Sequence, residues 1–319
     1  MKALVTGGAG FIGSHVVDEL ALRSNRVVVY DNFSTGFQRH LESALNTGLV
    51  EVVQGDILDS QQLTEALDGV STVFHLAANA DVRGGKSNTT VDLEQNVIGT
   101  HRVLEAMRAA HADSIVFTSS ATVYGEPDIF PTPEGYAPLQ TSVYGASKLA
   151  AEAFIEAYCE YFGMTCHIFR FVSWIGERYS HGVVYDFMRK LLQSSEELEI
   201  LGDGTQTKSY LHVEDGIQGI FCALENLGER KNIINLGHEE YLNVKLLADI
   251  VCDEMGLGET SYRFTGGQRG WVGDSPFVHL DISKAKAAGF RPRISIEQGI
   301  RRTVRYLMNN SWMLQARNG

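Results

Sequence analysis

The stretch Thr6-Gly7-Gly8-Ala9-Gly10-Phe11-Ile12-Gly13 decides the fold predicted for this chain. It follows a short apolar run, Ala3–Thr6, and opens a segment with helical spacing, Phe11–Arg23. Three of its glycines, Gly7, Gly10 and Gly13, are spaced three residues apart. The first permits a tight turn and the second lets the backbone approach a pyrophosphate. The third lets the helix pack closely on a sheet, and the helix amino end favours negative charge. A plain loop is the alternative, but the flanking strand and helix favour a dinucleotide-binding turn.

An acidic residue ends the next apolar run, Arg26–Asp31, about 20 residues after the last of these glycines. A carboxylate there can accept hydrogen bonds from both ribose hydroxyls and repels a 2′-phosphate. The next two residues, Asn32 and Phe33, supply no arginine for such a phosphate. The pattern therefore favours NAD over NADP, the alternative being an aspartate that merely ends a strand. After a third run, Asp56 is a candidate partner for the adenine amino group.

Apolar strands alternate with helical patterns through the first half of the chain, which predicts a Rossmann-type, doubly wound parallel sheet covered by helices on both faces. After about residue 176 this rhythm breaks. We therefore predict a dinucleotide-binding domain over 1–176 and a smaller α/β substrate-binding domain over 177–319, with segments that can cross back. The last residues, Leu314–Gly319, are expected to fray. Further predicted strands are Leu49–Gln54, Ser71–Leu76, Ser114–Thr118 and Cys166–Val172, and predicted helices are Ser60–Leu67, Leu93–Ala110, Tyr144–Phe162, Val183–Leu192, Val213–Asn226, Leu242–Met255 and Ile296–Leu307.

Composition excludes several classes of protein. The 319 residues include 27 Lys+Arg against 39 Asp+Glu, a net charge of −12, which argues against nucleic-acid or anionic-membrane partners. The four cysteines form no C-x-x-C pair, so no metal site is expected, and scattered thiols fit a reducing compartment. We see no signal peptide and no apolar run near the length of about 18 residues that a membrane span needs. A cytoplasmic location is the expectation.

A tyrosine and a lysine, Tyr144 and Lys148, lie one turn apart on a predicted helix and so share a face. An ammonium beside a phenol, with a cationic nicotinamide nearby, is expected to lower the phenol pKa from about 10. The phenol could then act as a general acid and base. Ser120 follows a predicted strand, and its hydroxyl could shorten the proton path to Tyr144. The alternatives are a surface helix pair and a serine that caps a turn.

Several motifs in order give the chain a family resemblance. They resemble the extended short-chain dehydrogenase/reductase family and, within it, are similar to the UDP-hexose 4-epimerases of the UDP-galactose 4-epimerase group. The resemblance runs from residue 1 to about residue 307. The motifs are TGGAGFIGSH from Thr6, Asp31, GDI from Gly55, HLAA from His75, NVIGT from Asn96, FTSSATVYGE from Phe117 and SVYGASK from Ser142.

The resemblance implies NAD as the cofactor and a catalytic trio, Ser120, Tyr144 and Lys148, with the last also touching the nicotinamide ribose. It also implies a set of residues around the dinucleotide. These are Gly7, Gly10, Phe11, Ile12 and Gly13 at the pyrophosphate, Asp31 and Asn32 at the adenosine ribose, Asp56 and Ile57 at the adenine, and Ala77, Ala78, Asn96 and Ser119 along its length.

For the substrate, the resemblance implies a nucleotide-diphosphate sugar, with a UDP-sugar favoured and the nucleobase left open. The stretch 202–210 looks like the family's nucleotide-sugar motif, but Lys208 replaces the usual arginine and Ser209 the usual aspartate. Ser173 stands where these epimerases usually carry asparagine, and the run 178–187 also departs from the family pattern. The implied substrate residues are Arg83, Ser120, Thr122, Ser173, Lys208, Tyr210, Arg269 and Asp274.

The implied activity is 4-epimerisation through a transient 4-keto sugar. Related 4,6-dehydratases and decarboxylases use acidic residues where this chain has Ala121 and Thr122, which cannot transfer the required proton. A non-catalytic NAD-binding sensor is a further alternative, although such proteins typically lose the tyrosine or the lysine. Val278 lies where a small side chain would admit N-acetylhexosamines, and Arg83 is a candidate partner for a uronate. The resemblance also implies a homodimer that pairs the helices predicted over 93–110 and 144–162.

Overall fold

A seven-stranded parallel sheet forms the centre of the computed structural model, which describes residues 1–315. Its strands follow the order β11-β6-β5-β4-β1-β2-β3. The strands in chain order are β1 Lys2–Thr6, β2 Arg26–Asp31, β3 Val50–Gln54, β4 Thr72–His75, β5 Ser114–Ser120, β6 Thr165–Phe171, β7 Ser173–Ile175, β8 Glu197–Ile200, β9 Thr207–Lys208, β10 Tyr210–His212, β11 Lys231–Leu236, β12 Leu242–Asn243, β13 Ser261–Phe264 and β14 Phe277–Val278.

Helices cover both faces of the sheet because its central strands are apolar on both sides. Ala3 and Val5 of β1 pack into one core cluster with Leu20, whereas Leu4 packs into the opposite cluster with Leu104. The helices are α1 Phe11–Leu22, α2 Glu42–Leu45, α3 Ser60–Ala66, α4 Thr90–Asp92, α5 Gly99–Ala110, α6 Val143–Phe162, α7 Val183–Gln193, α8 Val213–Asn226, α9 Val244–Glu254, α10 Ser283–Ala287, α11 Ile296–Asn309 and α12 Trp312–Gln315. The predicted doubly wound parallel fold is confirmed.

Beyond β6, the second half of the chain adds smaller sheets to the main one. Strand β7 follows β6 almost directly and pairs in parallel with β10. Strand β9 pairs with β12 and β14, and β8 pairs with β13. Between β10 and β12 the chain returns to the main sheet, where β11 pairs with β6. The seventh strand thus comes from beyond residue 176, and the division of the chain at that residue stays a prediction.

Three local predictions need correction. The helix predicted over 93–110 is interrupted, since Leu93–Ile98 is π-helical before α5 begins. The helix predicted from Leu242 begins two residues later, because the Asn243 side chain caps it by accepting from the Leu246 amide at 2.8 Å. The tail does not fray at Leu314, which is 5% exposed and lies in α12. Residues 316–319 lie outside the described part. Over residues 1–315, no helix combines the length and apolar character needed to cross a bilayer.

Candidate active site

The glycine turn forms a cradle at the amino end of α1. Gly7 adopts φ of +68°, and a side chain there would come within 2.7 Å of the Ala77 amide nitrogen. A side chain at Gly13 would collide with the Gly7 carbonyl oxygen. Gly10 precedes α1 without any side-chain cap, so the first amides of the helix keep their hydrogen-bonding capacity for a ligand. These features fit the pyrophosphate of a dinucleotide, with Phe11 and Ile12 opening the helix as predicted.

Asp31 ties this cradle to the end of β2. Its carboxylate accepts from the Ala9 amide at 2.9 Å and from the Phe33 amide at 2.8 Å. Burial raises its pKa, and these two hydrogen bonds oppose that rise. The side-chain amide of Asn32, the residue after Asp31, donates to Asp56 Oδ2 at 3.1 Å. The residues predicted for the ribose and the adenine therefore lie together, and Ile57 follows Asp56 in the chain.

The segment after β4 is fixed by side chains of its neighbours. The Ala77 amide donates to Thr6 Oγ1 at 3.2 Å, and Ala78 follows half-buried. The buried Asn96 accepts from the Asn79 amide at 2.8 Å and donates to Ser147 Oγ at 2.9 Å. Asn96 thereby joins this segment to α6, a role that the motif did not predict.

The structure brings the three predicted catalytic residues together. Tyr144 and Lys148 lie on the buried face of α6, which begins with Ser142 capping the Gly145 amide at 3.0 Å. The Ser120 hydroxyl at the end of β5 lies near the Tyr144 phenol and opposes the rise of its pKa. Lys148 Nζ lies 6.0 Å from the centroid of the Tyr144 ring. This arrangement can exchange a proton between a bound hydroxyl and the phenol.

Ser120 also caps a turn, which was the alternative role predicted for it. Its hydroxyl oxygen accepts from the Thr122 amide at 3.2 Å and from the Thr122 hydroxyl at 3.0 Å. These contacts begin the 3₁₀ turn Ala121–Tyr124. The same geometry fixes the serine oxygen beside the phenol, so the capping and catalytic interpretations are compatible.

The lowering of the tyrosine pKa, expected beside a cationic nicotinamide, is not produced by the protein groups alone. Burial raises the pKa of Tyr144 well above its ordinary value, and the negative charge of Asp92 adds to the rise. The Ser120 hydroxyl opposes it. Burial also lowers the pKa of Lys148 to about 8. The sequence prediction counted the charges of the ammonium and the nicotinamide and left out the burial of both side chains.

A buried ion pair lies behind this trio and was missed from sequence. Arg170 Nη2 of β6 contacts Glu152 Oε2 of α6 at 2.7 Å, with both side chains almost fully buried. The Ser119 hydroxyl donates to Glu152, so its side chain points into the interior although it was predicted to line the dinucleotide. Two signals could have revealed the pair. Glu152 lies one turn after Lys148, and a charged residue in an apolar strand requires a partner.

Two predicted substrate residues meet in the second half of the chain. Lys208 forms an ion pair with Asp274, and its Nζ lies 4.7 Å from the centroid of the Trp271 ring. Asp274 also accepts from the Gly270 amide at 3.1 Å. Trp271 was missed because no motif singles it out.

The other predicted substrate residues are dispersed around this pair. Arg269 pairs with Glu126, on the loop after the catalytic strand. Ser173 is exposed and lies in register opposite the buried Tyr210. Arg83 is exposed on its loop. Val278 lies in register with Lys208, next to the predicted sugar site.

Comparisons with known proteins identify the family of the chain. Residues 3–237 match the model of the NAD dependent epimerase/dehydratase family. The chain is 36% identical to the putative UDP-glucose 4-epimerase of Methanocaldococcus jannaschii, over 97% of this chain and 99% of that protein. It is also similar to a crystal structure of UDP-galactose 4-epimerase, with a TM-score of 0.88, 34% identity and coverage of 98% of this chain and 100% of that one.

The similarity extends to proteins with other substrates and activities. A UDP-glucuronic acid 4-epimerase from Bacillus cereus, solved with UDP-glucuronic acid and NAD, matches with a TM-score of 0.89 and 27% identity over 97% of this chain and all of that one. UDP-glucuronic acid decarboxylase 1 of Xenopus tropicalis is 28% identical over 96% of this chain and 72% of its own length. The family model is of NAD dependent proteins, and the Bacillus cereus structure holds NAD, so NAD is the cofactor of this chain. The chain therefore belongs to the NAD dependent epimerase/dehydratase family, the extended short-chain dehydrogenase/reductase family that its motifs predict.

Proposed function

We propose that this protein is a UDP-sugar 4-epimerase. The observation that carries the proposal is the grouping of Tyr144 with the Ser120 hydroxyl and the buried Lys148, whose Nζ lies 6.0 Å from the centroid of the Tyr144 ring. This trio is common to the family's chemistries, so the choice among them rests on the next two positions. Ala121 has no proton to transfer, and the Thr122 hydroxyl is engaged by Ser120. A hydroxyl is also too weak an acid or base to replace a carboxylate near neutral pH.

The residues of the chain act on the proton and on the position of the sugar. Bound NAD would supply the hydride chemistry at the sugar C4, which passes through a transient ketone. Tyr144 takes the proton of the 4-hydroxyl and later gives it back, and Ser120 orients that hydroxyl. The charge of Lys148 favours the tyrosinate form. Gly7, Gly13 and the amino end of α1 hold the cofactor's pyrophosphate.

Two cations predicted to bind the substrate already have carboxylate partners in this structure. Lys208 is paired with Asp274, and Arg269 with Glu126. Binding a diphosphate here requires at least one of these cations to exchange its carboxylate for phosphate. A lysine also presents a single point charge, whereas the arginine that is usual in the family presents a planar guanidinium that can donate two parallel hydrogen bonds. We therefore propose that the backbone and Lys208 hold the diphosphate together, and that the anchor is weaker than in relatives with arginine.

The decisive experiment incubates the purified protein with a panel of UDP- and dTDP-sugars and identifies the products by NMR. The panel contains the gluco and galacto forms of hexoses, N-acetylhexosamines and uronic acids. The proposal expects interconversion of the C4 epimers without change of mass. Loss of CO2 from a UDP-uronic acid would favour the decarboxylase alternative that the 28% identical relative supports. Loss of water would indicate a dehydratase, and binding of NAD without any turnover would favour a sensor.

We also propose that the protein forms a homodimer through α5 and α6. Helix α6 presents large apolar side chains to solvent, including Phe154 with 41% exposure and Phe162 with 49%, and the π-helical segment before α5 adds Leu93 with 52%. Exposed apolar side chains grouped in one area are typical of subunit contacts. Sedimentation velocity is expected to give about twice the monomer mass of 35.2 kDa. Phe154→Asp should dissociate the dimer, whereas Leu192→Asp, an exposed leucine on α7, should not. A monomeric wild type would contradict the proposal.

A further inference from the structure

Asp92, at the end of α4, is a fully buried carboxylate to which the motifs assign no role. Its Oδ1 accepts from Asn79 Nδ2 at 2.8 Å and from Asn96 Nδ2 at 3.3 Å. Within residues 1–315, its Oδ2 has no hydrogen-bond partner. Burying an unpartnered charged oxygen is costly, and an asparagine at this position could accept the same two hydrogen bonds. Packing alone therefore does not explain a carboxylate here.

Asp92 is enclosed between the loop after β4 and helix α6. The Asn96 amide that contacts it also donates to Ser147 Oγ at 2.9 Å, one residue before the catalytic lysine. A side chain built at Gly85 would lie 3.2 Å from Asp92 Oδ2 and 3.2 Å from Val143, one residue before the catalytic tyrosine. The carboxylate is therefore held against the segment that carries both catalytic groups.

Two buried carboxylates act on Lys148, Glu152 and Asp92. Glu152 shares its charge with Arg170, which it contacts at 2.7 Å, whereas Asp92 does not have such a partner among residues 1–315. His75 is buried and adds no charge near neutral pH, because burial lowers its pKa to about 3. In the described part of the chain, no cation lies within ion-pair distance of Asp92. The remaining charged side chains on the surrounding loop and helix turns are exposed to solvent, namely Asp81, Arg83, Lys86 and Glu94.

We propose that Asp92 is a positioning residue, the uncompensated negative charge that keeps the Lys148 ammonium protonated beside Tyr144. Burial lowers the pKa of Lys148, and the charges of Glu152 and then Asp92 raise it again. The catalytic consequence rests on the proposed function, whereas the charge relation between Asp92 and Lys148 does not. The two can therefore be tested separately.

The test measures the pKa of Lys148 directly, without substrate. Protein labelled with 13C at the lysine ε-carbon is titrated by NMR, and the Lys148 signal is assigned through its loss in Lys148→Arg. Asp92→Asn keeps the acceptor for both asparagines and removes the charge. It should lower the pKa of Lys148 by roughly one unit. The matched control, Asp113→Asn, removes an exposed carboxylate before β5 and should leave that pKa unchanged.

A second readout separates this charge effect from simple misfolding. The pH profile of kcat/KM of Asp92→Asn should move to lower pH, whereas a merely structural defect would lower activity at every pH alike. If Asp92→Asn does not fold, Asp92→Ser carries the same expectation, because its hydroxyl can bond the asparagines without charge. A folded variant in which Lys148 titrates as in the wild type would overturn the proposal. Absence of epimerase activity in the wild type would contradict the proposed function and leave the NMR test valid.

Discussion

The Lys148 ammonium donates to the main-chain oxygen of Thr118 at 3.0 Å. The lysine is therefore fixed to the strand that carries Ser120. It acts on the Tyr144 phenol through its electrostatic field and not through a direct hydrogen bond. One turn further along α6, Glu152 accepts from the Ser119 hydroxyl. Helix α6 and strand β5 are thus joined at two successive positions. These contacts set the spacing between the phenol and the serine on which proton transfer depends.

Tyr144→Phe tests the acid and base directly. Loss of the phenolic oxygen should reduce kcat by about 10²–10⁴-fold, the usual contribution of a positioned acid and base. NAD should stay bound, because the ring keeps its packing and no contact in the glycine cradle changes. Turnover of UDP-sugar and the NAD content of the purified protein are the two measurements. A rate near that of the wild type would place the acid and base elsewhere.

The pH dependence should reflect the lowered pKa of Lys148. Activity should fall as pH rises through about 8, where the ammonium loses its proton. The effect of pH on stability has the opposite sign, because the free energy of unfolding rises with pH in this range. The native state releases this proton at lower pH than the unfolded chain does. The free energy of unfolding therefore gains about 1.4 kcal/mol per pH unit from this group between about pH 8 and 10.

Lys148→Met provides the matched check on that sign. The variant should be inactive, yet more stable than the wild type below pH 8, because a buried charge has been removed. Lys245→Met, which replaces an exposed lysine, should change neither property. Urea unfolding at pH 7 and pH 9 measures the difference. A variant that is less stable at pH 7 would contradict the pKa assignment.

Replacing one partner of the ion pair between Glu152 and Arg170 should lower the free energy of unfolding. Glu152→Ala leaves a buried guanidinium without a counter-charge, for which we expect a loss of about 3–5 kcal/mol in the free energy of unfolding. The double replacement Glu152→Met with Arg170→Met should recover part of that loss, because no charge is left buried. Urea denaturation of the three proteins measures both effects. Equal stability of wild type and Glu152→Ala would show that the pair is not buried as described.

Gly13→Ala tests the cofactor cradle. The added methyl group meets the Gly7 carbonyl, so the helix must move away from the turn, and NAD affinity should fall at least about 10-fold. Gly135→Ala is the control, since a side chain there meets nothing within 4 Å. Isothermal titration with NAD distinguishes the two variants. Unchanged affinity in Gly13→Ala would contradict the assigned role of this turn.

Local patterns predicted the elements well where the residues themselves determine them. The strand Arg26–Asp31 and the helix Val213–Asn226 have the predicted bounds, because apolar runs and helical periodicity are properties of neighbours in sequence. The return of β11 to the main sheet was foreseen only as a general possibility, since strand order depends on contacts between distant residues. The raised pKa of Tyr144 depends on burial, which sequence does not state. The pairing of Lys208 with Asp274 likewise joins residues far apart in the chain.

The return of β11 also limits how the molecule can be divided. A chain cut after residue 176 would lack this strand and expose the length of β6 as an open edge, a surface prone to aggregation. It would also lose Asn235 of β11, which accepts from the Tyr124 hydroxyl at 2.7 Å just beyond the catalytic strand. The half of the chain that is predicted to bind the dinucleotide is therefore completed by residues that belong to the other half in sequence. Evolution and protein engineering alike can exchange the loops of such a molecule more readily than its halves.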